Sequence, residues 1–395
     1  MPLRILQQKN TVEIDQDESA GRLHRGWDRH HAFLDCPIFV KLSCKRIRPV
    51  GENNPPKQMI RKLWRSLLMT HPALSLDIRR IVTDSDLDGV VTGAILRRWW
   101  KEAEVVFGHP GALRAGMLDD VIDRNTAVCD LPRHSQCGLS IDHHQSNAPI
   151  DGEDNSEMVV VWKPTPSAAR IAFDLVGEVV DVSDLTDLME WVDKLDGGSV
   201  SKEEFLSEHP VVWLGRIIGG NDVISLEILE ALSRGNSVEE ILSSENISSV
   251  IDEKRDYLTR ANSIIAERLE IIDRLAVVRL EDMGVRSNGY RVTALAGEDC
   301  DACMVIHGDV GAGFGEEDSY PVSASFYTNS FIHTEGGIFD LTQLATRFDP
   351  DGGGHANACG CRIQPLENGQ RAERKVAKGD IDENIREWLK MWAER

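Results

Sequence analysis

Three short stretches carry residues able to do chemistry together. Asp84-Ser85-Asp86-Leu87-Asp88-Gly89 packs three carboxylates into five positions, Ile141-Asp142-His143-His144-Gln145 sets two imidazoles beside a fourth, and Gly352-Gly353-Gly354-His355 puts a histidine after a glycine run. Like charges this close repel, and a semi-buried cluster of them needs a cation. A calcium EF-hand would require a glutamate six residues after Gly89, where Ile95 stands, and a helix rather than a strand before the loop. Histidine among carboxylates suits Mn²⁺ or a similar divalent ion. Two such ions about 3.5–4 Å apart hold an attacking hydroxide and neutralise a phosphoryl group. That chemistry needs a carboxylate shared between the ions. Asp130, after a predicted inner strand and between the two motifs, is the natural bridge. Adjacent histidines point different ways, so one can ligate while the other reaches a substrate phosphate.

The elements around these residues alternate. Ile81–Thr83, Glu104–Phe107, Ala127–Cys129, Gly138–Ile141 and Val159–Trp162 read as strands. Val90–Trp100 reads as a helix with small residues Thr92, Gly93 and Ala94 near its start, and a second helix opens at Pro166 with Thr165 as its cap. Strand–helix alternation predicts an α/β fold with a mostly parallel sheet, whose ligands sit at the carboxyl ends of the strands. Asp84, Asp86, Asp130 and Asp142 all fall there. Residues from Ser183 to Glu270 read as helical, with Ile247–Ile272 a connecting helix. A second set of strands follows at Leu275–Val278, Tyr290–Ala296, Met304–His307 and Val322–Tyr327, then helices at Leu341–Phe348 and Ile381–Trp392.

The chain of 395 residues is 41% hydrophobic, without internal repeats or an apolar run long enough to span a membrane. Met1-Pro2-Leu3-Arg4 lacks the apolar core of a signal peptide, so the expected location is the cytoplasm, with reduced thiols. Cys300-Asp301-Ala302-Cys303 has zinc spacing, but Cys359-Gly360-Cys361 has the wrong spacing to complete a ribbon. Net charge is −21; residues 1–80 hold 15 Lys/Arg against 8 Asp/Glu (+7) and the remainder 29 against 57 (−28). An acidic chain is a poor general binder of nucleic acid backbones, which points to a small substrate or to local basic patches. Pro37–Leu42 reads as a short strand, basic residues lie on a helix near Trp64, and Trp27-Asp28-Arg29-His30-His31 echoes the later motif without an apolar strand before it.

These residues resemble the DHH family of phosphoesterases, RecJ-like branch, with its C-terminal DHH-associated domain. The resemblance rests on Asp84–Gly89, Asp130-Leu131-Pro132, Asp142-His143-His144, Trp191-Val192-Asp193 and Gly352–His355, in the family's order over about residues 78–365. It implies a basic extension over 1–74, a catalytic domain over 75–245, a linker helix over 246–273 and a smaller α/β substrate-binding domain over 274–395. It implies metal ligation by Asp84, Asp86, Asp88, Asp130, His143 and Asp193, with Asp196 the alternative to Asp193. Asp84 stands near where many members have histidine. Asp142 would orient its neighbours by hydrogen bonds, and His144 would face the substrate phosphate. Gly352, Gly353, Gly354 and His355 would grip the substrate across a cleft. Tyr327, either stacked on a base or packed in the core, lies where many relatives carry an arginine nearby.

The implied activity is hydrolysis of short oligonucleotides to mononucleotides with two divalent ions, Mn²⁺ foremost and Mg²⁺ or Co²⁺ as alternatives. The substrate would be a short single strand or dinucleotide, with no membrane partner and a homodimer as the assembly. A cyclic-dinucleotide phosphodiesterase, a single-strand exonuclease and an inactive nucleic-acid-associated protein on the same fold are the competing readings.

Overall fold

The computed structural model describes residues 70–150, 157–219, 221–308 and 322–395. The basic clusters, the Pro37–Leu42 strand, the helix near Trp64 and Trp27–His31 lie outside them. The described chain is nonetheless already packed at Ala73 and Leu74, which join the first core from within the stretch assigned to the extension.

Five parallel strands form the first sheet: β1 (Arg80–Asp84), β2 (Glu104–Gly108), β3 (Thr126–Cys129), β4 (Leu139–Asp142) and β5 (Val159–Trp162), in the order β2-β1-β3-β4-β5. Their apolar runs alternate between faces. Ile81, Ala127, Cys129, Leu139 and Ile141 point into one core, Val82 and Val128 into another. The chain leaves β1 for β2 on one side, then returns to β3 on the other. That reversal opens a crevice at the carboxyl ends of β1 and β3, where Asp84 and Asp130 stand.

Helix α1 (Leu87–Trp99) follows β1 and packs against α2 (Ala168–Gly177). Its small residues allow close approach: a Cβ on Gly93 would meet Leu229 Cδ1 at 2.7 Å. The cap of α2 is Ser167, whose Oγ accepts from the Arg170 amide. Thr165, expected as that cap, instead donates its hydroxyl to the Ser167 carbonyl, because the helix starts two residues later than Pro166 predicts. Helices α3 (Thr186–Asp196), α4 (Pro210–Ile217) and α5 (Asp222–Ser233) complete this half, and α6 (Glu245–Arg268) leads out of it.

The second sheet, β10-β11-β9-β8-β7-β6, contains β6 (Glu270–Ile272), β7 (Leu275–Arg279), β8 (Ala302–His307), β9 (Ser323–Thr328), β10 (Gly353–His355) and β11 (Ala358–Arg362), with only the β7–β8 pair parallel. Tyr290–Ala296, expected as a strand, is a helix, α7 (Gly289–Ala296). Its β-branched Val292 and Thr293 suggested a strand. The boundary residues decided otherwise: Asn288 caps the Arg291 amide, and Gly297 ends the helix at φ 69°. The helix expected over Leu341–Phe348 shrinks to Thr342–Ala345, and α8 (Lys378–Ala393) closes the lobe. Cys300 and Cys303 join one core of this lobe, Cys359 and Cys361 the other, so the four thiols form no common site. Among the described residues no helix is long and apolar enough to cross a membrane.

Candidate metal centre and cleft

Each acidic side chain at the rim is held by the start or end of an element. Asp84 ends β1 and accepts from the Ser85 amide at 2.6 Å. Asp86 caps α1 through the Gly89 amide at 2.9 Å. Gly89 is required there, since a Cβ would come within 2.2 Å of the Asp84 carbonyl oxygen. Asp88, one residue into the helix, is buried and receives the Ala168 and Ala169 amides of α2, each at 2.7 Å. The positive end of α2 therefore anchors this carboxylate. Asp130 follows β3 in left-handed backbone, φ 56°, a conformation aspartate tolerates better than most residues. Its amide bonds the Ile141 carbonyl at 2.8 Å, tying it to β4.

The two histidines part as their adjacency requires. His143 Nδ1 lies 3.1 Å from the Thr165 carbonyl, which fixes it as the protonated nitrogen. Nε2 then presents a lone pair to Asp196 at 3.2 Å, Asp130 at 3.6 Å and Asp88 at 3.7 Å. His144 Nδ1 donates to Asp142 Oδ1 at 2.8 Å. Asp142 Oδ1 also receives the His143 and His144 amides, and Oδ2 the Asn147 amide group at 2.6 Å. All of Asp142 is thus engaged in holding its neighbours.

The electrostatics are uncompensated. Burial, then Asp196 and Asp86, hold Asp88 well above the ordinary carboxylate range; burial, then Asp88 and Asp86, do the same to Asp130. Burial and Asp86 push Asp84 up to about 6 and Asp196 to about 7. Burial would raise Asp142 too, but the bonds from His144 and Asn147 outweigh it and hold it low. The Asp142 bond in turn raises His144, while burial and His144 lower His143, keeping it neutral.

Do these residues fit a metal? Asp130 Oδ1 and His143 Nε2 are buried and have no hydrogen-bond partner among the described residues. They face each other at 3.6 Å, too far for a hydrogen bond. Bonds of about 2.1 Å at angles of about 90–120° put two ligand atoms of one ion roughly 3.0–3.6 Å apart. Asp130, His143 and His144 form one group of potential ligands; Asp88, His143 and Asp196 form a second, sharing His143. The donor set fits a divalent cation.

Asp193 is not brought into this cluster. Its carboxylate accepts from Ser167 Oγ at 2.7 Å and from Arg170 Nε and Nη2 at 2.9 and 2.6 Å. Asp196, one turn later on α3, reaches the rim instead. Asp193 faces α2, and sequence alone cannot tell which of two carboxylates three apart finds an arginine. Tyr327 packs edge-on against Tyr290, with Gly289 so close that a Cβ would meet its ring at 2.2 Å, yet it still lines an open groove beside β11. The glycine run forms edge strand β10, where Gly353 pairs with Gly360, a groove residue, and His355 is exposed.

A cavity of about 490 Å³ runs from Asp86, Asp88 and Asp196 to Arg216, Lys254, Arg286 and Arg291. It shares Arg216, Lys254 and Arg286 with a wider groove reaching His307 and β11. None of these basic residues was singled out in the sequence; they come from α4, α6, the loop before α7 and α7 itself, converging only in three dimensions.

No family model and no curated protein matches the sequence. Among solved structures, the pGpG-specific phosphodiesterase PggH from Vibrio cholerae aligns over 79% of this chain and 98% of its own at a TM-score of 0.61 and 20% identity. The chain shares the two-domain α/β fold of that structure. The resemblance read from the motifs and the architecture therefore agree. Looser alignments pair the chain with the DHH domain of a protein described as a member of a ribosomal-protein family (TM-score 0.49, 13% identity, 86% of this chain and 93% of the other) and with Thermus thermophilus RecJ in complex with Mn²⁺ (TM-score 0.46, 14% identity, 80% and 52%).

Proposed function

We propose that this chain is a DHH-family phosphodiesterase that hydrolyses short linear oligonucleotides to mononucleotides at the Asp84–Asp196 rim. One observation carries the reading. Two buried ligand atoms, on Asp130 and His143, stand without partners among the described residues, amid carboxylates that repel one another, and a divalent cation would complete that arrangement. Asp84, Asp86, Asp88, Asp130, His143 and Asp196 would hold two divalent ions, Mn²⁺ suiting the mixed oxygen and imidazole set best. Such ions supply an activated hydroxide and neutralise charge on the phosphoryl group.

The chain's own residues do the rest. Asp130 lies between the carboxylates of β1 and the histidines of β4, where one carboxylate can serve both ions. The Thr165 carbonyl fixes the His143 tautomer, so that Nε2 is the ligating nitrogen. Asp142 keeps His144 protonated to higher pH than an isolated imidazole, and its half-exposed ring can donate to a phosphate oxygen. The glycine run, one strand beyond the groove, offers backbone to a substrate lying along β11. Because PggH is described as pGpG-specific, pGpG is the first substrate to try.

The test is hydrolysis of pGpG, short RNA, short DNA and a cyclic dinucleotide with Mn²⁺, Mg²⁺ or Co²⁺. The reading expects release of mononucleotides from the short linear substrates and none in excess chelator. Full activity in chelator, or no hydrolysis of any of them with any of the ions, would overturn it.

A further inference from the structure

An α-helix begins with amides that have no partner inside the helix. In α2 the first two, of Ala168 and Ala169, go to Asp88 Oδ2 and Oδ1, each at 2.7 Å. The third, of Arg170, goes to the capping Ser167 Oγ at 3.0 Å. Both oxygens of a carboxylate 80 residues upstream are therefore set by where this turn stands. Ser167 and Asp88 are both buried, so neither bond is shared with solvent.

Asp193 fixes where the turn stands. Its Oδ1 accepts from Ser167 Oγ at 2.7 Å, and its Oδ2 from Arg170 Nε and Nη2 at 2.9 and 2.6 Å. A serine hydroxyl has one proton. With that proton on Asp193, a lone pair is left to face the Arg170 amide, so the bond to Asp193 also orients the cap. The carboxylate grips two residues of the turn from another helix, α3, and one turn later α3 presents Asp196 to the rim. Thr165 completes the arrangement: His143 Nδ1 bonds its carbonyl at 3.1 Å, and its hydroxyl bonds the Ser167 carbonyl at 2.9 Å. Each member of the Asp88–His143–Asp196 group is thus tied to one short segment. Asp88 is held by its amides, His143 by the Thr165 carbonyl, and Asp196 by the helix that Asp193 clamps onto it.

We propose that Asp193, acting through Ser167 and Arg170, is a positioning residue that presets the Asp88–His143–Asp196 group for its ion. This deepens the metal-centre reading and rests on it. Asp193 supplies no ligand atom; it holds the turn that holds one. A plain structural ion pair is the alternative, and Arg362 with Asp349 in the second lobe shows what that looks like. The other bonds of Asp349 come from the Arg362 and Asp351 amides and lead to no facing carboxylates. The bonds of Asp193 lead through a buried serine to a buried carboxylate with like charges beside it. Repulsion displaces such a carboxylate unless its anchor is rigid. Ligand groups bind well when their supports are locked in advance.

The test is Mn²⁺ binding to the full chain by calorimetry, with the folded state checked by circular dichroism. Asp193→Asn and Ser167→Ala should each weaken binding about tenfold. The two together should cost little more than either alone, because they act in one chain of bonds. Ser167→Thr, which keeps the hydroxyl, should bind within about twofold of the unaltered protein. In an Asp88→Asn background, Asp193→Asn should add less than about threefold, since the ligand it holds most directly is already gone. Full additivity of the Asp88 and Asp193 losses, or an Asp193→Asn protein that binds Mn²⁺ as the unaltered chain does, overturns the proposal and leaves the metal reading intact. An unaltered chain that binds no divalent ion overturns that reading and the proposal with it.

Discussion

Aspartates whose titration is shifted occur in both lobes, in opposite surroundings. In the second lobe Asp349 is paired with Arg362 and Asp380 with Arg374, and both are held below the ordinary range, Asp380 at about 2. In the first, Asp84, Asp88, Asp130 and Asp196 face one another and are all raised. The same residue type is finished by an arginine in one place and left unfinished in the other. Carboxylates of the second lobe stabilise the fold; those at the rim repel one another and oppose it. An acidic cluster in sequence does not distinguish the two. What distinguishes them is whether a guanidinium from a distant segment comes within reach.

Replacing one member of each set should separate them most sharply. If Asp130 ligates the ions, Asp130→Asn should cost at least about a thousandfold in turnover without lowering the melting temperature in chelator. Asp380→Asn should do the reverse, losing about 2–3 kcal/mol of stability by urea unfolding while kcat stays within about twofold. If Asp130→Asn keeps its activity, the rim is not the centre.

The next comparison is within α3. Asp196→Asn should weaken Mn²⁺ binding, by calorimetry, about a hundredfold or more, whereas Asp193→Asn, which only loosens Ser167 and Arg170, should cost about tenfold. Equal losses would place both carboxylates on the ions.

Asp142→Asn removes the charge that raises His144. If protonated His144 serves the substrate, the alkaline limb of the pH–rate profile should move to lower pH. An unmoved limb would separate His144 from the chemistry.

Stability against pH contrasts the lobes directly. Folded Asp84 and Asp196 titrate near 6 and 7, above their unfolded values, so the native state binds more protons than the unfolded state between about pH 4 and 7. In chelator the melting temperature should therefore fall as pH rises through that window, and added Mn²⁺ should raise it most at the alkaline end. Asp380 works the other way: its contribution is present above its unfolded value and fades as pH falls toward 2. A chelated protein that gains stability from pH 5 to 8 would contradict the rim's unpaired state.

The smallest effect belongs to His355→Ala. Its ring is exposed on the edge strand, so KM should rise by about three- to tenfold, the worth of one partly solvated hydrogen bond, with little change in kcat. Loss of bound metal would move His355 to the rim.

The first lobe was largely legible in the sequence because its strands are short apolar runs that end in acids. Period and strand-end position are local signals, and Asp84, Asp130 and Asp142 fell at the carboxyl ends as that pattern requires. The choice between Asp193 and Asp196 was not local, since it turned on Arg170 of another helix. Asn288 and Gly297 held the helical start and stop that Val292 and Thr293 obscured. The basic side of the cavity was least legible: Arg216, Lys254, Arg286 and Arg291 are spread over 76 positions and share no motif.

Helix α6 enters with Ile247 and Ile251 packed in the core of the first lobe and leaves with Ile265 packed in a core of the second. The 14 helical steps from Ile251 to Ile265 rise about 21 Å without a break. Neither half can melt without unwinding an element the other half is still gripping. Heat should therefore take the described chain apart in one cooperative endotherm, and a substitution such as Ile251→Ala should lower the melting of both sheets together.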